Sequence, residues 1–74
     1  MKTTHTIEAG CGFGSCYPRR DTVMTVEFES GAKTLPALKG QATKAFVRAF
    51  RERFGKDARD YGIVLWRLDG NELH

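Results

Sequence analysis

The longest regular pattern in the chain lies between Gln41 and Phe54, where apolar and basic positions repeat at helical spacing. The apolar side chains recur every three or four residues, so they fall along one stripe of an α-helix. The basic side chains fall on the opposite side. We therefore expect one helix face to be buried and the other to present positive charge. The stripe consists of Ala42, Ala45, Phe46, Ala49, Phe50 and Phe54, and the basic side consists of Lys44, Arg48 and Arg51.

The start of this helix has two solutions in the sequence. In the first, the helix begins after Gly40, and Thr34 caps a separate short turn that contains Pro36. In the second, it begins near Pro36 and includes Gly40 at a cost of about 1 kcal/mol. Its end is expected at Gly55, because a left-handed cap favours glycine. The polar residues 56–60 then form a connection.

Alternation of apolar and polar positions predicts three strands. Residues 2–9 show a weak pattern rich in threonine. Residues 22–29 show a clear one, in which Met24, Val26 and Phe28 share a face. Residues 62–68 include a run that is apolar on both faces, as in a central strand, and turn residues 69–71 close it. Between the first two strands, glycines and Pro18 make residues 10–21 a loop.

The order β-β-α-β predicts an α+β fold in one domain over residues 1–74. We expect a three-stranded, mainly antiparallel sheet with one amphipathic helix packed on one face. The other face would be wet, covered by loops or used for association, and an apolar group there would mark a homodimer or partner surface. The two candidate groups are Ile63 with Leu65, and Val64 with Trp66 and Leu68.

The charge of the chain is mildly basic, with a net charge of +3 and a pI near 9.1. Much of the excess lies between Lys44 and Lys56, where five basic residues face the single acid Glu52. A local positive patch favours contact with phosphate or with an acidic protein surface. The alternative is an ordinary solvated helix face, whose arginine stems cover apolar surface.

The glycine-rich loop adds a second group of candidate binding residues. Its glycines do not match a dinucleotide fingerprint, because the third comes one residue early and a strand follows instead of a helix. Aromatic side chains with interleaved arginines can stack on bases or anchor a protein contact. The loop residues of this type are Phe13, Tyr17, Arg19 and Arg20.

The two cysteines, Cys11 and Cys16, have a spacing that occurs in zinc sites. The remaining soft ligands are His5 and His74, so a zinc site would use every cysteine and histidine of the chain. Because no second ligand pair of the usual spacing is present, we expect free thiols and no metal. A small zinc or thiol module is the third hypothesis for function. A disulfide is sterically allowed and is disfavoured in the cytosol.

No combination of nucleophile, base and orienting group stands out, so we expect neither enzymatic activity nor a cofactor. In size and plainness the chain is similar to small accessory proteins of phages and mobile elements, some of which inhibit nucleases or CRISPR complexes. Our leading hypothesis is a binding module that modulates or inhibits a nucleic-acid-handling protein through the basic helix face and the loop. The alternative is direct DNA or RNA binding by the same basic residues.

The sequence also bears on where the protein acts. No apolar run approaches the roughly 20 residues that cross a bilayer. The N-terminus lacks the apolar stretch of a secretory signal. We therefore expect a cytoplasmic protein that does not enter a membrane.

Overall fold

The computed structural model describes residues 2–15 and 17–73. Within these residues the chain forms four strands and one long helix, in the order β1 (Thr3–Cys11), β2 (Met24–Ser30), α1 (Leu35–Phe54), β3 (Ile63–Leu68) and β4 (Asn71–Glu72). Two short 3-10 helices, Arg20–Thr22 and Ala58–Tyr61, come before β2 and β3. The strands form one antiparallel sheet with the order β2-β1-β3-β4.

The predicted α+β class is confirmed, but the predicted number of strands is wrong, because the described residues form four strands and not three. The fourth, β4, has only two residues, which is too short for an alternating pattern to reveal it. The predicted turn at Asp69-Gly70 is present. It joins β3 and β4 in a tight hairpin, in which Arg67 pairs with Glu72. In addition, β1 extends to Cys11, two residues into the predicted loop.

The helix begins at Leu35, so the longer of the two predicted helices is the correct one. Thr34 caps it, because its hydroxyl accepts a hydrogen bond from the Ala37 N–H at 3.4 Å. Pro36 lies in the first turn, where a missing N–H costs nothing. Gly40 lies within the helical sequence on its exposed side and has open space around it. No contact there requires glycine, so its low helix propensity costs about 1 kcal/mol without a compensating interaction.

The core lies between α1 and one face of the sheet, where Phe46 and Ile7 are the largest fully buried side chains. The predicted inner face of β2 packs against it in half-buried positions. The predicted helix stripe is buried or half-buried from Ala42 to Phe50, but Phe54 is 39% exposed. The assignment of Phe54 to the core is wrong because the helix ends there and its ring borders an open cavity.

One extra residue in β3 changes which of its side chains share a face. Positions 8 and 9 of β1 pair with positions 67 and 65 of β3, so Trp66 is the inserted residue of a β-bulge. Beyond the bulge, Leu68 is buried in the core, against which Ile63 and Leu65 pack. Strict alternation predicts Leu68 on the same face as Trp66, and the bulge is the reason that this grouping is wrong.

The sheet face away from α1 is partly covered by the loop that joins β1 to β2. Gly10 lies beneath this loop, and a Cβ atom there would be 2.8 Å from the Pro18 Cβ. Tyr17 packs on Trp66 with ring centroids 5.6 Å apart. The sequence predicts that this face is wet, covered by loops or used for association, and around Trp66 it is covered by a loop. The homodimer through this face stays a prediction.

In the part of the chain that the structure describes, no helix combines the length and the apolar character that a membrane crossing requires.

Candidate binding site at the end of the helix

The predicted binding residues of the helix lie together on its outer side. Lys44, Arg48 and Arg51 are all exposed, on the side of α1 opposite the buried Phe46. The Arg48 guanidinium is 3.7 Å from the Glu52 carboxylate, one helical turn away, so part of its charge is balanced. This basic strip follows from the helical spacing alone.

The predicted binding residues of the loop do not lie together. Tyr17 and Arg20 border a cavity of about 510 Å³ on the open sheet face, together with Glu8 and Trp66. Phe13 lines a different cavity, near the end of α1, and Arg19 stacks on the Phe13 ring. The loop therefore contributes to two separate cavities, although its aromatic and basic residues are close in sequence.

Phe13 occupies a tight turn whose backbone conformation is unusual for its residue type. Its φ is 53° and that of Gly14 is 89°, and the Ser15 N–H donates to the Gly12 carbonyl at 3.0 Å. Positive φ at both central residues is the pattern of a type I′ turn, which favours asparagine, aspartate or glycine. A residue with a Cβ atom loses roughly 1–2 kcal/mol in this region. Phenylalanine is therefore a costly choice at this position.

This turn is held in place by main-chain hydrogen bonds to the segment before β3. The Gly12 N–H donates to the Gly62 carbonyl at 2.8 Å, and the Phe13 N–H donates to the Tyr61 carbonyl at 2.9 Å. The rings of Phe13 and Tyr61 also pack, with centroids 5.3 Å apart. Phe13 is nevertheless 49% exposed. Its backbone is fixed, and about half of its surface faces solvent.

Arg19 returns the loop to Phe13 and covers part of the ring. Its backbone N–H donates to the Cys11 carbonyl at 2.8 Å, and its own carbonyl accepts from the Thr22 hydroxyl at 2.7 Å. These bonds place the Arg19 guanidinium carbon 4.9 Å from the centroid of the Phe13 ring. A guanidinium at that distance makes a cation–π contact.

The end of α1 supplies a second pair of the same kind. The ring of Phe54 packs on Phe50 with centroids 4.6 Å apart, and the Arg53 guanidinium carbon lies 5.5 Å from the Phe54 centroid. Gly55 then ends the helix in the left-handed conformation, as predicted, and its N–H donates to the Arg51 carbonyl at 2.8 Å. The cap is what leaves Phe54 at an open end.

One ring of each pair, Phe13 and Phe54, borders a single cavity of about 250 Å³, and the two arginines lie over these rings without lining it. Its walls are the rings of Phe13, Phe50, Phe54 and Tyr61, and Asp21, Thr22 and Lys56 complete the lining. We call this surface the aromatic end, and define it as Phe13, Phe54 and Tyr61 with the cations Arg19, Arg53 and Lys56.

The charge at the aromatic end is positive. Against its three cations stands Asp21, whose carboxylate is 3.8 Å from the Arg19 guanidinium. Asp57, the next residue after Lys56, is matched by a 2.8 Å ion pair with Arg59. The hydrogen bonds from Arg59 lower the pKa of Asp57 to about 2, so this carboxylate is ionised and already paired at neutral pH.

Cys11 is not placed for thiol or metal chemistry with His5. It is fully buried, its thiol is 3.9 Å from the Ala58 carbonyl, and burial raises its pKa, which disfavours the thiolate. His5 is six residues away on the same strand, about 20 Å at the usual rise per residue, so one zinc ion cannot bind both. Cys16 and His74 lie outside the described residues. Among residues 2–15 and 17–73, no group of three acidic, histidine or cysteine side chains could hold a metal.

Several residues of the aromatic end are absent from the predicted site. The sequence shows Arg53 and Lys56 as part of the positive charge near the helix end, and nothing in it marks them as contact residues. The helical spacing predicts Phe54 in the core, although the following Gly55 indicates a helix end where burial is incomplete. Tyr61 lies in what the sequence presents as a linking segment, and no pattern there indicates that its 3-10 helix brings it to Phe13.

In comparisons with known proteins, no family model, no curated protein and no solved structure matches the chain.

Proposed function

We propose that this protein is a non-enzymatic binding module that contacts a protein partner through the aromatic end. The observation that carries the proposal is Phe13, a large apolar side chain that is 49% exposed at a backbone conformation unfavourable for its type. Strained residues in rigid surroundings are concentrated at functional sites. Exposed aromatic side chains paired with arginine are typical of the residues that dominate protein interfaces.

The arrangement of the rings favours a protein over a single nucleic-acid strand as the partner at this site. Arg19 lies over the Phe13 ring and Arg53 over the Phe54 ring. A base that stacked on either covered face would have to displace the guanidinium group. A protein side chain that enters the cavity would instead leave both arginines in place. An arginine stacked on a ring can still donate hydrogen bonds to a carboxylate.

The basic strip supports a partner that handles nucleic acid. Lys44, Arg48 and Arg51 are exposed on the outer side of the helix that ends at the aromatic end. There they could contact phosphates of a nucleic acid bound to the partner. Such a module would modulate or inhibit its partner by occupying a surface, which requires complementarity and no catalytic residues.

The test compares two exposed aromatic residues on separate cavities. Phe13→Asn removes the ring and suits the turn, whereas Tyr17→Asn removes a ring from the open sheet face. Both variants and the wild type would serve as bait in an extract of the source organism, with mass spectrometry to identify the partner. Titration calorimetry with the purified partner would then give each affinity. We expect Phe13→Asn to weaken binding at least about tenfold, or 1.4 kcal/mol, and Tyr17→Asn to change it little.

The opposite pattern would overturn the proposal. If Phe13→Asn binds like the wild type while Tyr17→Asn abolishes binding, the contact surface is the cavity beside Trp66. Circular dichroism melts of both variants would show that each is folded.

Direct nucleic-acid binding is the second candidate, and the alignment of Lys44, Arg48 and Arg51 on one exposed face favours it. Replacing all three with glutamine should change stability little, because exposed charges contribute little to folding. Under direct binding, the affinity for DNA or RNA should fall steeply between low and physiological salt and should be lost in the triple variant. A protein contact through the aromatic end should depend much less on salt.

A further inference from the structure

From the shape and charge of the aromatic end, we infer that it takes one large apolar side chain carried on an acidic segment of the partner. This inference rests on the proposed function, because it assumes that the aromatic end is the contact surface. It adds the chemistry of the segment that binds there.

The size of the cavity suits a single large side chain. Its volume is about 250 Å³, and its walls are the rings of Phe13, Phe50, Phe54 and Tyr61. Pockets that enclose drug-sized ligands measure roughly 300–1,000 Å³. A cavity below this range, with aromatic walls, suits a phenylalanine, leucine or methionine side chain as an anchor. Such an anchor in a small apolar pocket is the usual centre of a protein contact.

The charges around the cavity specify the residues that flank the anchor. Lys56 and Asp21 line the cavity itself, and the exposed Arg19 and Arg53 lie over two of its rings. Since Asp21 lies 3.8 Å from Arg19, it balances that cation, and Lys56 in the lining and Arg53 over the Phe54 ring remain as a positive excess. Glutamate or aspartate beside the anchor would complement this excess, whereas lysine or arginine would be repelled.

The rigidity of the turn favours binding of a short segment. The main-chain bonds from Gly12 and Phe13 to Gly62 and Tyr61 fix the Phe13 wall before any ligand arrives. A preformed wall reduces the entropy that binding must overcome. A short peptide should therefore bind weakly but measurably, without the rest of the partner.

The experiment uses ¹⁵N-labelled full-length protein and synthetic heptapeptides with blocked ends, followed by NMR. The first peptide has phenylalanine at its centre and glutamate elsewhere. The second has alanine at its centre, and the third keeps the phenylalanine but carries lysine in place of glutamate. An oligodeoxythymidylate is the fourth probe. We expect the first peptide to shift the amide signals of Phe13, Gly14 and Phe54, and to bind at least tenfold more tightly than the other three.

Matched variants separate a specific site from general charge attraction. Phe13→Asn and Arg19→Gln should each weaken the first peptide at least threefold. Arg67→Gln removes an equally charged, exposed side chain on β3 and should leave the affinity unchanged. Arg19→Gln has a readout beyond affinity, because it should also narrow the preference for the glutamate peptide over the lysine peptide.

The outcomes distinguish this inference from the function on which it rests. If the first peptide shifts none of these amides at millimolar concentration, or if the lysine peptide or the oligonucleotide binds equally well, the inference is wrong. The proposed function would still stand if Phe13→Asn abolished binding of the natural partner. If that variant bound the partner normally, the proposed function itself would fail, whatever the peptides did.

Discussion

Two tight turns of this protein share a backbone conformation and differ in how well their sequences suit it. One is Phe13-Gly14 after β1, and the other is Asp69-Gly70 between β3 and β4. The first residue of each has a φ near 50°, and the glycine that follows has a φ of 89° or 83°. Both therefore require two residues in the left-handed region.

The Asp69 turn is well adapted to the fold. Aspartate tolerates the left-handed region better than most residues. Its carboxylate also accepts a hydrogen bond from the Thr6 N–H at 2.8 Å and one from His5 Nδ1 at 2.7 Å. Both donors belong to β1, so the side chain of this turn ties the outer hairpin to a central strand.

The Phe13 turn shows the opposite choice. Its first residue carries a ring that is poorly suited to the backbone and is 49% exposed. The turn is held by main-chain bonds, which any residue except proline could form at that position. One backbone geometry thus carries a side chain that bonds to the fold at Asp69 and an exposed ring at Phe13.

The largest effect is expected in the core that supports both turns. Phe46 is fully buried, so Phe46→Ala should cost about 3–5 kcal/mol and unfold most of the population, since a core of this size rarely supplies more than about that. Phe54→Ala makes the same change at the aromatic end, where the side chain is 39% exposed, and should cost far less. Urea unfolding followed by circular dichroism measures both. Equal losses would show that Phe54 is a core residue after all.

An intermediate effect is expected from exchanging the chemistry of the two turns. Asp69→Phe places a ring in the left-handed region, where a residue that does not tolerate this conformation loses roughly 1–2 kcal/mol. It also removes the two hydrogen bonds to the carboxylate, each worth about 1 kcal/mol. Phe13→Asn relieves strain but loses the contacts with Tyr61 and Arg19, so the free energy of unfolding should change by less than about 1 kcal/mol. Chemical denaturation of the two variants tests this. A larger loss from Phe13→Asn than from Asp69→Phe would reverse the comparison.

The smallest effect is expected from pH and concerns only the Asp69 turn. The hydrogen bond from His5, and then that from Thr6, lowers the pKa of Asp69 below its usual 3.8. The folded state therefore favours the carboxylate. Its contribution is complete above the pKa of unfolded aspartate and is lost as the pH falls below about 3.8 toward the lower folded pKa.

Melting temperatures measured across this acid range would show the effect. Asp69→Asn should reduce the loss of stability on acidification. Asp57→Asn should also reduce the loss, because the pKa of Asp57 is lowered to about 2, so measuring both variants shows how much of the acid sensitivity belongs to each carboxylate. Phe13→Asn should leave the slope as it is in the wild type. An unchanged slope in Asp69→Asn would mean that the carboxylate does not support the hairpin.

Much of this fold can be predicted because the signals are local. The helix stripe, the Thr34 and Gly55 caps and the alternation of β2 each depend on neighbours within one or two turns of chain. The bulge at Trp66 and the short strand β4 depend on pairing between distant segments, and no local pattern records it. The open sheet face shows the same limit, since the position of the covering loop depends on contacts such as that between Tyr17 and Trp66.

The candidate site could be predicted only in part for the same reason. Phe13 and Arg19 stand out in the sequence as an aromatic residue near an arginine. Their separation from Tyr17 and Arg20 depends on where the loop crosses the fold, and their association with Phe54 depends on where the helix ends relative to β3. The strain at Phe13 comes from its positive φ. The sequence does not predict this angle, because phenylalanine disfavours the left-handed region.

Trp66, the extra residue of the β3 bulge, is the only tryptophan in the chain. Its ring lies against Tyr17 of the covering loop, beside a cavity that shares no lining residue with the one at the aromatic end. The chain thus contains its own fluorophore at the place where that loop docks on the sheet. Excitation of Trp66 should report this docking by a change in emission wavelength, in solution and without any attached label.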